Sequence, residues 1–230
     1  MGQIKAILFD KDGTLFDFQK TWGAFQGDFL RGLSAGDDAR LHALADATEY
    51  DLETGLFLPG SPVIAGSLNV VTALMIPHLP GWTEESLVAE IREKTALVRQ
   101  VPVCPLAELF DHLRNAGLPL GIATNDAEAP AREHLRQEGI EDRFAFIAGY
   151  DSGYGGKPEP GQLLAFAQHV GLPPSEIAMV GDSTHDLHAG AAAGMVRVAV
   201  LTGVATEADL APHADVVLGD ISELPGWMSL

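Results

Sequence analysis

Short runs of apolar residues recur along the chain at 4–9, 118–123, 144–147, 177–180, 196–200 and 214–218. Apart from Lys5, Arg197 and Asp215, their apolar residues stand at successive rather than alternate positions, the pattern of strands buried on both faces in a parallel sheet. Between the later runs the period changes. In 106–116, Leu106, Leu109, Phe110 and Leu113 recur at helical spacing, and Gly117 supplies a C-terminal stop. Residues 128–137, 160–170 and 186–193 also read as helices, followed by Gly139, Gly171 and Gly194. Strand and helix in regular alternation predict a doubly wound, Rossmann-like α/β core.

Residues 18–100 break this rhythm. They carry no strand pattern, and helix-like pieces run at 21–33, 37–53, 63–76 and 84–99. Thr83-Glu84-Glu85-Ser86 resembles a helix start, with Ser86 where a capping box usually has Glu. The turns Leu58-Pro59-Gly60-Ser61-Pro62 and Leu79-Pro80-Gly81-Trp82 separate these pieces. The expectation is an all-helical domain, 18–100, inserted into a core made of 1–17 and 101–230, with hinges near Asp17 and 101–105. Phe18, Trp22 and Phe25 share one face of the first insert helix, where they either line a pocket or form the insert's core.

Composition narrows the function classes. Apolar residues make up 47% and charged residues 20% of 230, ordinary for a globular protein with a sizeable core. No apolar run is long enough to span a bilayer, and no basic-then-apolar leader opens the chain, so a cytoplasmic location is expected. Against 32 acidic residues stand 14 Lys and Arg, a net charge of −18. Such a surface repels nucleic acid and anionic lipid, so the expected partner is a small molecule. An anionic substrate would need a local cluster of cations and N–H groups. Cys104 is the sole cysteine, which excludes an internal disulfide and a cysteine-cluster metal site. Its apolar setting, Val101-Pro102-Val103-Cys104-Pro105, predicts a packed thiol rather than a nucleophile.

The candidate chemistry lies just after the strands, where α/β sheets bind ligands. Asp10-Lys11-Asp12-Gly13-Thr14-Leu15 follows the first strand, and Gly13 permits a turn that aims both carboxylates into the crevice. Gly181-Asp182-Ser183-Thr184-His185-Asp186 follows the fourth and adds two more acids. Four convergent carboxylates repel unless a cation joins them, and oxygen-only ligands point to a hard ion, Mg²⁺ above all. Ala123-Thr124-Asn125-Asp126 follows the second strand and offers a hydroxyl, an amide and backbone N–H groups for phosphate oxygens. In Gly155-Gly156-Lys157-Pro158 the lysine is framed by rigid or tight-turning neighbours. A nucleotide-hydrolase phosphate loop does not fit there. Asp151 stands where its first Gly belongs, and Pro158 where Ser or Thr should follow the lysine.

These segments, in this order, resemble the four motifs of the haloacid dehalogenase superfamily, and the insert after the first resembles its helical cap. The subgroup that includes phosphoglycolate phosphatase is the most similar. The resemblance implies a Mg²⁺-dependent phosphatase acting on a small phosphorylated metabolite, with Asp10 as nucleophile and Asp12 as general acid and base. It implies Asp10, the Asp12 carbonyl and Asp182 as metal ligands, with Thr124, Asn125 and Lys157 on the phosphoryl oxygens. Asp186 would orient Lys157 or a metal-bound water. Lys11, where an apolar residue is commoner, departs from the pattern.

Several alternatives belong to the same superfamily. A 2-haloacid dehalogenase does not need Asp12. A phosphosugar mutase would carry Thr and His where Phe18 and Trp22 stand. A phosphonate hydrolase needs an insert lysine, for which Lys20 and Lys94 are available. A regulatory protein retaining the fold is a fourth reading. The leaving group, whether a phosphoglycolate-like acid, a sugar or a nucleotide, and the oligomeric state are not legible in the sequence.

Overall fold

In the computed structural model, which describes residues 4–65, 68–95 and 98–230, the chain forms two compact units, Met1–Asp17 with Gln100–Leu230, and Phe18–Arg99. Its strands are β1 (Ala6–Phe9), β2 (Tyr50–Asp51), β3 (Leu56–Phe57), β4 (Leu120–Ala123), β5 (Phe146–Ala148), β6 (Ile177–Gly181), β7 (Val196–Val200) and β8 (Val216–Leu218). Six of these form one sheet in the order β5-β4-β1-β6-β7-β8, and every neighbouring pair is parallel. The apolar runs explain its burial. Along β1, Ile7 and Phe9 pack with Phe110 and Leu113 on one face. Ala6 and Leu8 pack with Leu163, Phe166 and Met179 on the other. Each large side chain so buried contributes about 1.5–3 kcal/mol. The chain builds outward from β1 through β4 to β5, then returns to β6 and builds the other way. The switch point therefore lies between β1 and β6, and the crevice at their carboxyl ends is the expected ligand site.

The Phe18–Arg99 unit contains α1 (Ala24–Ser34), α2 (Asp38–Ala47), α3 (Pro62–Ala65), α4 (Leu68–Met75) and α5 (Glu84–Thr95). It is not wholly helical, because β2 and β3 make a short antiparallel hairpin; β2 falls inside the helix expected over 37–53, and β3 lies just beyond it. Glu49 at φ +47° ends that helix early. Tyr50 then donates to the Gly23 carbonyl at 2.7 Å and packs on Phe57 with ring centroids 5.4 Å apart. The Asp51 carboxylate accepts from the Glu53 N–H and the Thr54 hydroxyl, each at 2.8 Å, and so closes the turn. A π-helical turn, Gln19–Gly23, precedes α1. The predicted helix over 63–76 is α3 and α4, followed by the 3₁₀ turn Ile76–His78; residues 66 and 67 lie outside the described ones. The helix predicted over 84–99 ends at Thr95 as described, and 96 and 97 lie outside. At its start Ser86 does serve the box. The Thr83 N–H donates to its hydroxyl at 3.0 Å, and the Ser86 N–H donates to Thr83 Oγ1 at 3.1 Å.

The segments expected to hinge are laced together inside the sheet unit. The Asp17 N–H donates to the Val101 carbonyl at 2.8 Å, and the Val103 N–H to that of Leu15 at 3.0 Å. The helices α6 (Leu106–Asn115), α7 (Glu128–Gln137), α8 (Gly161–Val170) and α9 (Thr184–Ala193) follow the predicted periods, with α10 (Glu207–Leu210) and α11 (Leu224–Met228) closing the chain. Gly171 and Gly194, at φ +68° and +77°, are the left-handed C-caps of α8 and α9.

Candidate active site

Asp10 is the first residue after β1, and its N–H is anchored on the Val180 carbonyl of β6 at 2.8 Å. Three residues on, Gly13 turns the chain at φ +80°, and its N–H closes on the Phe16 carbonyl at 2.7 Å. A side chain at Gly13 would collide with the Asp182 carboxylate, and so would one at Gly203, in the loop after β7. Thr202 ties that loop in by donating to the Gly13 carbonyl at 2.6 Å. Thr14 donates to Asp182 Oδ1 at 3.3 Å. Asp182 therefore sits in a cradle of two glycines and two threonines.

Lys157 enters from the loop after β5. Its Nζ lies 2.6 Å from Asp10 Oδ1 and 2.6 Å from Asp186 Oδ1. Asn125 holds the lysine's backbone from both sides, accepting from its N–H at 2.8 Å and donating to its carbonyl at 2.9 Å. Gln162, from α8, donates to the carbonyls of Thr124 and Gly155 at 3.1 and 3.0 Å, tying the same two loops. Asp186 reaches Lys157 with one oxygen while its other, Oδ2, accepts from the Ser183 N–H and hydroxyl at the N-terminus of α9. The Thr124 hydroxyl accepts from the Asp126 N–H at 3.0 Å.

Asp10, Asp182 and Asp186 are buried, with one oxygen of each inside a 4.8 Å span. Burial pushes the Asp10 carboxyl up to about 7; Lys157 opposes this and Asp186 adds to it. Burial, and then the Asp10 and Asp186 charges, also raise Asp182 well above the carboxylate range. Burial works against the Lys157 ammonium, yet Asp10 and Asp186 hold its pKa above that of an ordinary lysine. Three carboxylates against one ammonium carry a charge of −2 (−3 + 1) when ionised. A buried excess of that size is costly, and a hard dication with oxygen ligands cancels it. The donor set therefore fits Mg²⁺. Asp12 lies outside this carboxylate trio; the sequence reading assigned it to the metal through its backbone carbonyl.

Beside the trio, Lys11 is completely buried. Its Nζ lies 2.6 Å from Asp12 Oδ2, 3.5 Å from Asp126 Oδ2 and 3.1 Å from His134 Nδ1. An ammonium only donates, so His134 Nδ1 accepts and the ring's proton is on Nε2. Burial, and then Lys11, push His134 down to about 4 from 6.5. Between those values the unfolded chain binds a proton that the folded one does not, so this histidine's contribution is full above about pH 6.5 and is lost as pH falls towards 4. We expect urea unfolding of the wild type to lose about 2–3 kcal/mol more than His134→Gln between neutral pH and pH 4. Parallel stability curves for the two proteins would contradict this.

His134, Gln162, Thr202 and Gly203 escaped the sequence reading. Leu201-Thr202-Gly203 directly follows the strand run 196–200, as the motif segments follow theirs, and that position is the signal in the sequence. Cys104 is half-buried against the core, and burial followed by the Asp220 charge lifts its thiol to about 11, which suits packing and not nucleophilic work. The aromatic face divides. Phe18 is buried against Phe57, ring centroids 5.5 Å apart, whereas Phe25 lines an open cavity of about 420 Å³ with Lys20, Thr21, Ala24, Lys94, Val98 and Arg99.

The chain is similar to known phosphatases over nearly its whole length. A phosphoglycolate phosphatase of Xanthomonas campestris is 32% identical over 221 residues, covering 93% of this chain and 91% of the relative. An N-acetylmuramic acid 6-phosphate phosphatase of Pseudomonas aeruginosa is 27% identical, covering 96% and 93%. Among solved structures, a HAD family hydrolase of Deinococcus radiodurans with bound phosphate and sodium superposes with a TM-score of 0.73 at 22% identity, over 100% of this chain and 96% of its own. A HAD phosphatase of Thermococcus onnurineus superposes at 0.68 with 23% identity, over 98% of each. At such identities the structural likeness speaks for the fold. The family model for haloacid dehalogenase-like hydrolases matches residues 4–194, and the chain belongs to that family.

Proposed function

We propose that the chain is a Mg²⁺-dependent phosphatase that hydrolyses small phosphate monoesters, phosphoglycolate-like acids or sugar phosphates, through an aspartyl-phosphate on Asp10. The observation that carries this reading is the buried cluster in which Asp10 shares Lys157 with Asp186 beside Asp182. The names of the relatives, phosphatases of phosphoglycolate and of an amino-sugar acid phosphate, support the substrate class.

Asp10 Oδ1 is engaged by Lys157, so attack on phosphorus falls to Oδ2. As that bond forms, the ester P–O bond breaks, and Asp12 gives its proton to the leaving alcohol oxygen. Asp12 then takes a proton from water while the water oxygen bonds to phosphorus. The acyl-phosphate P–O bond breaks, which regenerates Asp10 and releases inorganic phosphate. Lys157 lowers the repulsion between Asp10 and the phosphate dianion, and Asp186 keeps the lysine in place. Thr124 and Asn125 complete the phosphoryl site from the loop after β4. Bound Mg²⁺, held by Asp10, Asp182 and the Asp12 carbonyl, supplies further positive charge at the phosphoryl oxygens. The insert, 18–99, is assigned the choice of leaving group, since the residues that handle phosphorus all come from the sheet unit.

An assay with p-nitrophenyl phosphate tests this. Turnover is expected with Mg²⁺ and is expected to vanish after EDTA treatment, returning on addition of the ion. Mg²⁺ is also expected to raise the melting temperature of the wild type but not of Asp182→Asn, because only a ligand bound to the folded state stabilises it. Full activity after exhaustive chelation would overturn the metal assignment.

A further inference from the structure

The loop between β1 and the insert contains a buried cation that the proposed mechanism leaves unused. Lys11 is 0% exposed, and its ammonium is surrounded by Asp12 Oδ2 at 2.6 Å, Asp126 Oδ2 at 3.5 Å and His134 Nδ1 at 3.1 Å. A lysine is almost never buried unless paired, because stripping water from an ammonium is expensive. Here three partners from three segments meet it: the loop after β1, the loop after β4, and α7. The side chains of two of them, Asp126 and His134, are not among the groups assigned to phosphorus or the metal. They fix where Nζ sits. What Nζ then fixes is Asp12.

We propose that Lys11 is a positioning residue for Asp12, clamping Oδ2 so that the proton exchanged with substrate is carried on Oδ1. The reasoning is chemical and geometric. An ammonium has three donors and no lone pair. A hydroxyl at Oδ2 would accept from the ammonium far more weakly than an unprotonated oxygen does, so the proton of a protonated Asp12 is favoured on Oδ1. The same contact fixes the carboxylate plane, and the Asp126–His134 anchor fixes the ammonium. Proton delivery to a leaving alkoxide depends on such alignment, since a misplacement of about 1 Å can cost on the order of 10²-fold. In the step itself, the Oδ1–H bond breaks as the alcohol O–H bond forms, and the ester P–O electrons move to that oxygen. Lys11 exchanges no proton. This assignment rests on Asp12 being the general acid of the proposed phosphatase.

General acids matter most for poor leaving groups, so the test compares phenyl phosphate with p-nitrophenyl phosphate, whose phenolate departs more readily. In Lys11→Met, kcat for phenyl phosphate is expected to fall roughly 10–100-fold, and that for p-nitrophenyl phosphate by less than about threefold, with KM for both little changed. Asp126→Asn, which loosens the ammonium without touching the phosphoryl cluster, should give the same selectivity at smaller amplitude. It is the variant to read if Lys11→Met does not fold. In an Asp12→Asn background, Lys11→Met should add no further leaving-group-dependent loss. Equal losses on both esters, in Lys11→Met or in Asp126→Asn, would reduce Lys11 to a structural ion partner and overturn the assignment. A selective loss that persists undiminished without Asp12 would overturn it as well. Failure of the underlying reading looks different: Asp12→Asn itself would then show no leaving-group dependence.

Discussion

Asp10→Asn is expected to lower kcat on the order of 10⁴-fold or more while leaving the fold intact, because it deletes the nucleophile and keeps the shape. The substitution is unusually clean at this position. Burial already pushes the Asp10 carboxyl up to about 7, so a neutral amide there removes a charge that the fold accommodates only with help. Lys157 retains Asp186 as a partner at 2.6 Å, and no cavity opens. The melting temperature should therefore hold or rise. In the wild type, acid quenching during turnover of a ³²P-labelled ester should trap label on a peptide containing Asp10; the variant should trap none. Residual activity within tenfold of wild type, or label on another residue, would remove Asp10 from the chemistry.

The motifs were legible because strands announce where the chemistry is. Continuous apolar runs at 4–9 and 177–180 become β1 and β6, and the acids that follow them meet at the switch point between those strands. What the sequence hid was long-range and polar. Nothing near Lys11 in sequence says that His134, 123 positions away, will accept from its ammonium. In sequence Lys11 is only an unusual neighbour of Asp10 and Asp12, although in the fold it is among the largest fully buried side chains. Gly203 was invisible for a related reason. A glycine after a strand is ordinary, and only the Asp182 carboxylate packed against it makes the missing side chain necessary. In the insert, Tyr50 falls in the stretch expected as a helix over 37–53, and Phe57 lies just beyond it. The hairpin is selected by what they touch, Gly23 and Phe18, and not by local pattern.

Lys157→Met should be the most damaging change to both fold and function. Removing one partner of a buried ion pair leaves the others uncompensated, typically at about 3–5 kcal/mol. Here three buried carboxylates, Asp10, Asp182 and Asp186, would remain with no cation among them. We expect a loss of that order in urea unfolding measured in EDTA. Because the cost is electrostatic rather than a matter of packing, it should be largely recovered in two ways: by millimolar Mg²⁺, which binds only the folded cluster, and by adding Asp186→Asn, which removes one of the stranded charges. Activity should follow a different course. The phosphoryl dianion and Asp10 would still approach each other without the ammonium between them, so kcat should remain roughly 10²–10³-fold below wild type even in Mg²⁺-stabilised protein. A Lys157→Met protein whose activity returns together with its stability would mean that the lysine serves the fold alone. One whose stability ignores both Mg²⁺ and Asp186→Asn would mean that the three carboxylates do not share their charge as the geometry indicates.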